Sequence, residues 1–273
     1  MSHTHHSKII TDQELFFNQN ALQPRIIDQE NIFMKYAQKE QVKGFGWLSN
    51  KKSILDFGCG TGNSIDLFFY KRKIKGYKLY GVDIAQDAIE YVKKKYPDFK
   101  FFKISNNQIP QIMASGVDAS YLLNVLHHTR GHQEIFNEIY KKLDKNGKFF
   151  ICDLCSNNPI NKSARNIFIR MPKFVKDKFN DDLVVGEAIP EKYKVNIDNV
   201  VKQLKNVGFK VEEIGYGHLF FFIFGWVDRF IPFSKIPLVS SFYKKLMNLE
   251  KYLLKYTFFQ NRAEVFYIKC IKK

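Results

Sequence analysis

Cysteine is scarce in this sequence, with four in 273 residues, at positions 59, 152, 155 and 270. That number and scatter exclude a disulfide framework and lead us to expect a reducing, intracellular setting. Acidic residues are in deficit too. Asp and Glu number 27 against 43 Lys and Arg, for a formal net charge of +16. Long apolar runs are missing. The longest charge-free stretch of the C-terminal third, Ile214 to Val227, has 14 residues, short of the roughly 20 that a spanning helix needs. The opening MSHTHHSKIITDQELF holds no apolar core of signal-peptide length, so a cytoplasmic location is expected, and His3, His5 and His6 read as a chain end rather than a metal site.

What the sequence does have is apolar bulk. Hydrophobic residues make up 45%, with 27 Phe and 14 Tyr, which excludes a mainly disordered chain. Short apolar runs alternate with amphipathic stretches through the middle: Ser53 to Phe57, Lys78 to Val82, Phe99 to Ile104, Ala119 to Leu123 and Lys148 to Cys152, with helical candidates at Ala85 to Tyr96 and Glu134 to Leu143. Strands separated by single helices predict a parallel, open sheet with helices on both faces and ligands outside the carboxyl ends of its strands. Residues 1–52 read as a helical lead-in and 156–195 as a helical insertion over the site. A helix from a cap near Asn196 to Val207 stops at Gly208. Phe209 to Ile214 and Ala263 to Ile271 read as a sixth and a seventh strand, all within one domain.

The most informative segment is ILDFGCGTGN, Ile54 to Asn63. Glycines at 58, 60 and 62 leave a strand and open a helix, so backbone can approach a ligand closely. Asp83 closes the second strand, where a carboxylate accepts hydrogen bonds from ribose hydroxyls. The dinucleotide spacing G-x-G-x-x-G would need glycine at 63, and Asn63 stands there.

These residues resemble the class I S-adenosylmethionine-dependent methyltransferases. DFGCGTG looks like the family's first motif and GVDIA like its acidic second one. YLLNVLHH is similar to the end of the fourth strand in the branch acting on quinones, lipids, sugars and other small molecules. KLDKNGKFFICD and LKNVGFKVEEI look like the leads into strands five and six. The resemblance implies a Rossmann-like three-layer sandwich with a seven-stranded, mostly parallel sheet whose last strand is antiparallel. It also implies S-adenosyl-L-methionine as cofactor, with S-adenosyl-L-homocysteine as product. In that reading Gly58 and Gly60 lie against the methionine part, with Cys59 and Gly62 in the same loop, and Asp56 supports it. Asp83 holds the ribose and Ile84 packs on adenine. Ser105 or Asn106 stands in for the family's usual acid at the adenine amine, and the Asn124 carbonyl faces the amino group.

Methyl transfer from a sulfonium is an in-line displacement that needs alignment more than a catalytic side chain. For a hydroxyl acceptor a base near neutrality helps, and either His127 or His128, just after the fourth strand with His132, is the candidate. The C-x-x-C of Cys152 and Cys155 invites a zinc reading, but no second ligand pair follows at suitable spacing, so no metal is expected.

The charge raises nucleic acid as an acceptor. Against it, the clusters Lys71-Arg72-Lys73 with Lys75 and Lys93-Lys94-Lys95 end helices, where the dipole favours cations. Enzymes that methylate base amines carry an Asn/Asp-Pro-Pro-aromatic motif where this chain has Asn124-Val125-Leu126-His127. The expected acceptor is therefore an O or N of a small-molecule, lipid-linked or saccharide group. The alternatives are an RNA or protein methyltransferase and a cofactor-binding interaction module.

Residues 216–260 form a Phe-rich insertion. From Phe242 to Tyr256, Phe242, Leu246, Leu249, Leu253 and Tyr256 recur at helical spacing opposite Lys244, Lys251 and Lys255. The readings are a lid over the sheet, a dimer face, or peripheral contact of 218–260 with an anionic membrane.

Overall fold

Seven strands form one sheet in the order β3-β2-β1-β4-β5-β7-β6. They are β1 (Ser53–Phe57), β2 (Lys78–Asp83), β3 (Lys100–Lys103), β4 (Val117–Leu123), β5 (Leu143–Leu154), β6 (Phe209–Gly217) and β7 (Val265–Lys272). The computed structural model describes residues 38–70, 76–105, 108–110, 116–129, 131–155, 195–220 and 235–273. Most of the lead-in, nearly all of the 156–195 insertion, Asn106, the basic cluster at 71–75 and the Phe-rich run 221–234 lie outside the described residues.

The parallel strands are apolar on both faces because both faces are covered. In β1, Ile54 joins one buried cluster with Phe45, Phe68, Tyr121 and Phe150, while its neighbour Leu55 joins another with Val82, Leu122, Phe136 and Phe149. Each such side chain contributes roughly 1.5–3 kcal/mol on burial. The strand β7 runs antiparallel to both β5 and β6, as the resemblance implied.

Seven helices accompany the sheet among the described residues. Helix α1 (Lys39–Leu48) packs on β5 at Gly44, where a Cβ would stand 2.1 Å from the Phe150 ring, so only glycine allows the approach. Helix α2 is one turn (Asn63–Ile65) running into a π turn over Asp66–Tyr70. Helix α3 (Gln86–Lys95) buries Ala88, Ile89 and Val92. Its Lys93, Lys94 and Lys95 fall in the last turn, and Lys95 pairs with Asp66 at 2.7 Å. Helix α4 (His132–Lys142) buries Ile135, Phe136 and Ile139. In α5 (Ile197–Val207) the Asn196 side chain accepts the Asn199 N–H at 3.0 Å, and Gly208 at φ 111° ends the helix. Helices α6 (Pro237–Leu253) and α7 (Thr257–Gln260) lie between β6 and β7.

Two boundaries and one helix face differ from expectation. The strand β5 begins at Leu143 rather than Lys148, because Asp144 to Gly147 is carried in the strand as a bulge against β4. The strand β6 runs on to Gly217. In α6 the inward residues are Tyr243, Met247 and Glu250, whereas Phe242, Leu249 and Tyr256 of the expected apolar stripe are exposed. An inward carboxylate is tolerated because Glu250 accepts the His218 N–H at 3.1 Å and the Leu219 N–H at 2.8 Å.

Candidate cofactor and active site

Strand order reverses between β1 and β4, and the loop after β1 therefore opens onto the crevice where ligands bind in such sheets. The Gly58 and Cys59 N–H groups donate to the Val82 carbonyl at 2.8 and 3.0 Å, drawing the loop across the end of β2. Asp83 fixes it there. One carboxylate oxygen accepts the Gly60 N–H at 2.8 Å and the other the Ala85 N–H at 2.9 Å. Gly58 has φ 80°, and a Cβ on it would stand 2.3 Å from Val125 Cγ2. Gly60 has φ 48° and open space within 4 Å of where its Cβ would be. Gly62 caps the α2 turn at φ 86°, and its carbonyl accepts the Tyr96 hydroxyl at 3.1 Å.

Asp56 lies buried at the end of β1, where one oxygen accepts the Ser64 hydroxyl at 2.7 Å and the Tyr121 hydroxyl at 2.9 Å. Burial pushes its carboxyl up to about 7, against the lowering by Ser64 and Tyr121. Burial raises Asp83 as well, countered by the Ala85 and Gly60 N–H groups. A carboxylate offers about four lone-pair positions. Asp83 thus keeps some acceptor capacity beside the open space at Gly60.

The Cys59 side chain turns into the core, and burial drives its thiol well up, so only its backbone belongs to the loop. Ile84 is half-buried against the core. Ser105 is exposed at the turn after β3, where its carbonyl accepts the Gln108 N–H at 3.1 Å. Asn124 ends β4 in the left-handed region at φ 55°, with its N–H on the Cys152 carbonyl at 2.9 Å.

A single turn of 3-10 helix, Leu126–His128, follows. Asp153 of β5 organises it. One of its carboxylate oxygens accepts the Val125 and Leu126 N–H groups at 2.9 and 2.7 Å, and the other accepts the Leu154 N–H at 2.7 Å and lies 2.5 Å from His127 Nδ1. Burial acts to raise this carboxyl, but His127 and the N–H donors outweigh it and hold it below its ordinary value. An acceptor at Nδ1 assigns the neutral imidazole proton to that nitrogen and leaves Nε2 as the basic one. The His128 ring stacks obliquely at 3.9 Å from that of His127. His132 Nε2 donates to the Leu126 carbonyl at 2.9 Å, a structural bond that holds the turn. Because Val125 packs on Gly58, the histidine turn and the glycine loop are one contiguous site.

A family model described as "Methyltransferase domain" matches residues 55–149, which takes in the loop, Asp83 and the histidine turn. Over that segment the chain matches a methyltransferase domain, in line with its resemblance to the class I S-adenosylmethionine-dependent family. An uncharacterized methyltransferase of Schizosaccharomyces pombe is 27% identical over 166 residues, 54% of this chain and 56% of that protein. The chain thus spans little more than half the length of this relative. A demethylmenaquinone methyltransferase of Chlorobaculum parvum is 27% identical over 195 residues, 67% of this chain and 73% of that protein. Among solved structures, the geranyl diphosphate C-methyltransferase of Streptomyces coelicolor superposes with a TM-score of 0.58 at 11% identity. That match covers 97% of this chain and 98% of the neighbour.

Cys152 and Cys155 lie in different buried clusters, so the C-x-x-C does not converge on one point. The residue that sequence reasoning missed is Asp153. It stands between those two cysteines, and an acid at the end of a strand beside the histidine-bearing one was the available signal.

Proposed function

We propose that this protein binds S-adenosyl-L-methionine at the glycine loop and methylates a hydroxyl of a small-molecule, lipid-linked or saccharide acceptor, with His127 as the base. The observation that carries this reading is the Asp153–His127 pair at 2.5 Å on a turn packed against Gly58. Asp83 would hold the ribose, Gly58 and Gly60 the methionine part, and Asn124 the amino group. When bound, the cofactor supplies an electrophilic methyl group on a sulfonium. His127 Nε2 takes the acceptor's hydroxyl proton as the oxygen becomes nucleophilic, and the Asp153 carboxylate steadies the resulting imidazolium. The naming of the Chlorobaculum relative as a demethylmenaquinone methyltransferase supports a small acceptor.

The test is formation of S-adenosyl-L-homocysteine over a panel of phenols, hydroquinones, glycosides and amines. Wild type should turn over a hydroxyl acceptor. The His127→Asn variant should lower kcat by roughly 10²-fold while cofactor affinity holds. Normal turnover by that variant would remove the base role. Cofactor binding without turnover on any acceptor would favour the interaction module, and turnover confined to amines would leave alignment alone as the mechanism.

A further inference from the structure

We infer that the outward face of α6 docks this protein on an anionic lipid surface. Helix α6 is held in a fixed rotation, because Tyr243, Met247 and Glu250 are buried and the Glu250 carboxylate accepts the His218 and Leu219 N–H groups. Away from that side, Leu238 is 80% exposed, Leu249 47% and Tyr252 63%. At about 100° per residue these three fall within a sector of roughly 60°. Tyr256, 64% exposed, continues the line just beyond the helix end. Leucines and tyrosines on a convex helix suit the boundary between acyl chains and headgroups, where a tyrosine buries its ring and keeps its hydroxyl wet.

Charge selects the occupant. From Lys235 to Arg262 the sequence has six basic residues and one acid, and that acid, Glu250, is the buried one. Lys244, Lys251 and Lys255 flank the apolar sector on one side, exposed. Lys245 stands within it, where its stem can lie along apolar surface while the ammonium reaches a phosphate. Each lysine near an anionic leaflet contributes attraction within a Debye length. A second copy is disfavoured, because a two-fold interface sets the same patch against itself and lysine would meet lysine. The contact we infer is a peripheral one, and among the described residues no helix is long and apolar enough to cross a membrane. The hydrogen bonds that set the glycine loop run to Val82 and Asp83 and not to α6, so this inference stands whether or not the catalytic reading does.

Sedimentation of the full chain with vesicles of phosphatidylcholine alone, or of equal parts phosphatidylcholine and phosphatidylglycerol, tests it. The expected result is binding to the mixed vesicles that weakens with salt without vanishing. Leu238→Ser with Tyr252→Ser should weaken it by roughly tenfold or more. Lys244→Gln with Lys251→Gln and Lys255→Gln should erase the preference for the anionic vesicles. Calorimetry should find cofactor affinity unchanged in both variants, which separates this inference from the methyltransferase reading. Failure of wild type to bind the mixed vesicles at low salt would overturn it, as would undiminished binding by the serine variant. A large fall in the serine variant's melting temperature would show the face covered by the chain itself. A wild-type dimer that the serine variant makes monomeric would assign the face to a second copy.

Discussion

Asp83 at the end of β2 accepts the Gly60 N–H at 2.8 Å, so the acid that we propose holds the ribose also shapes the loop beside it. The two roles cannot be removed separately by truncation. Asp83→Ala should weaken S-adenosyl-L-methionine by more than the roughly 0.5–1.5 kcal/mol of an ordinary hydrogen bond, because charge-assisted bonds and a loop contact go together. Calorimetry on the folded variant measures it. Unchanged affinity would mean that the ribose sits elsewhere.

Asp153 should act on turnover through His127. Asp153→Asn keeps the shape, but an amide cannot accept from Val125, Leu126 and Leu154 N–H groups and from His127 Nδ1 as the carboxylate does. The expected outcome is a kcat lower by roughly 10²-fold with cofactor affinity little changed, and a stability lowered by about 1–3 kcal/mol, seen as a fall in melting temperature. Ring-nitrogen NMR should show the His127 proton redistributed between Nδ1 and Nε2. A purely structural Asp153 would lower the melting temperature and leave kcat of the folded fraction as it was.

The glycine loop and Asp83 were legible in the sequence because their geometry is local: three glycines leave one strand and an acid ends the next. The strands were legible because burial on both faces makes continuous apolar runs. Asp153 was not, since its bond to His127 spans 26 residues and exists only because Leu123 pairs with Cys152 in the sheet. The inward side of α6 was not legible either. Apolar residues lie on more than one side of that helix, and a buried Glu250 is favoured by two N–H groups contributed from beyond β6.

Asp56 should make the unliganded protein less stable as pH rises. Burial lifts its carboxyl from 3.8 to about 7 in the fold. A group raised in this way favours folding fully below its unfolded value and loses that contribution as pH climbs through the folded one. The window thus runs from about pH 4 to about pH 7, with a change on the order of 3–4 kcal/mol. Asp83, also raised by burial, adds in the same direction. Thermal melts across that range should show a falling midpoint, flattened by Asp56→Asn. A midpoint that rises with pH in wild type would contradict the assignment.

Gly58 joins the two halves of the site, and its replacement should show how tightly. At φ 80° an alanine is strained by about 1–2 kcal/mol, and its Cβ would stand 2.3 Å from Val125 Cγ2, adding overpacking of about 1–3 kcal/mol. Gly58→Ala should therefore lower stability by roughly 2–5 kcal/mol. Because Val125 immediately precedes the Leu126–His128 turn, the same change should displace His127 and depress kcat as well as cofactor affinity. Val125→Ala opens the space that the new methyl group needs. In the double variant the steric part should return, leaving only the backbone strain, so the two substitutions should couple favourably in a double-mutant cycle. Recovery of kcat alongside stability would tie the glycine loop to the histidine turn through that one contact. Strict additivity of the two losses would show that Gly58 and Val125 do not constrain each other.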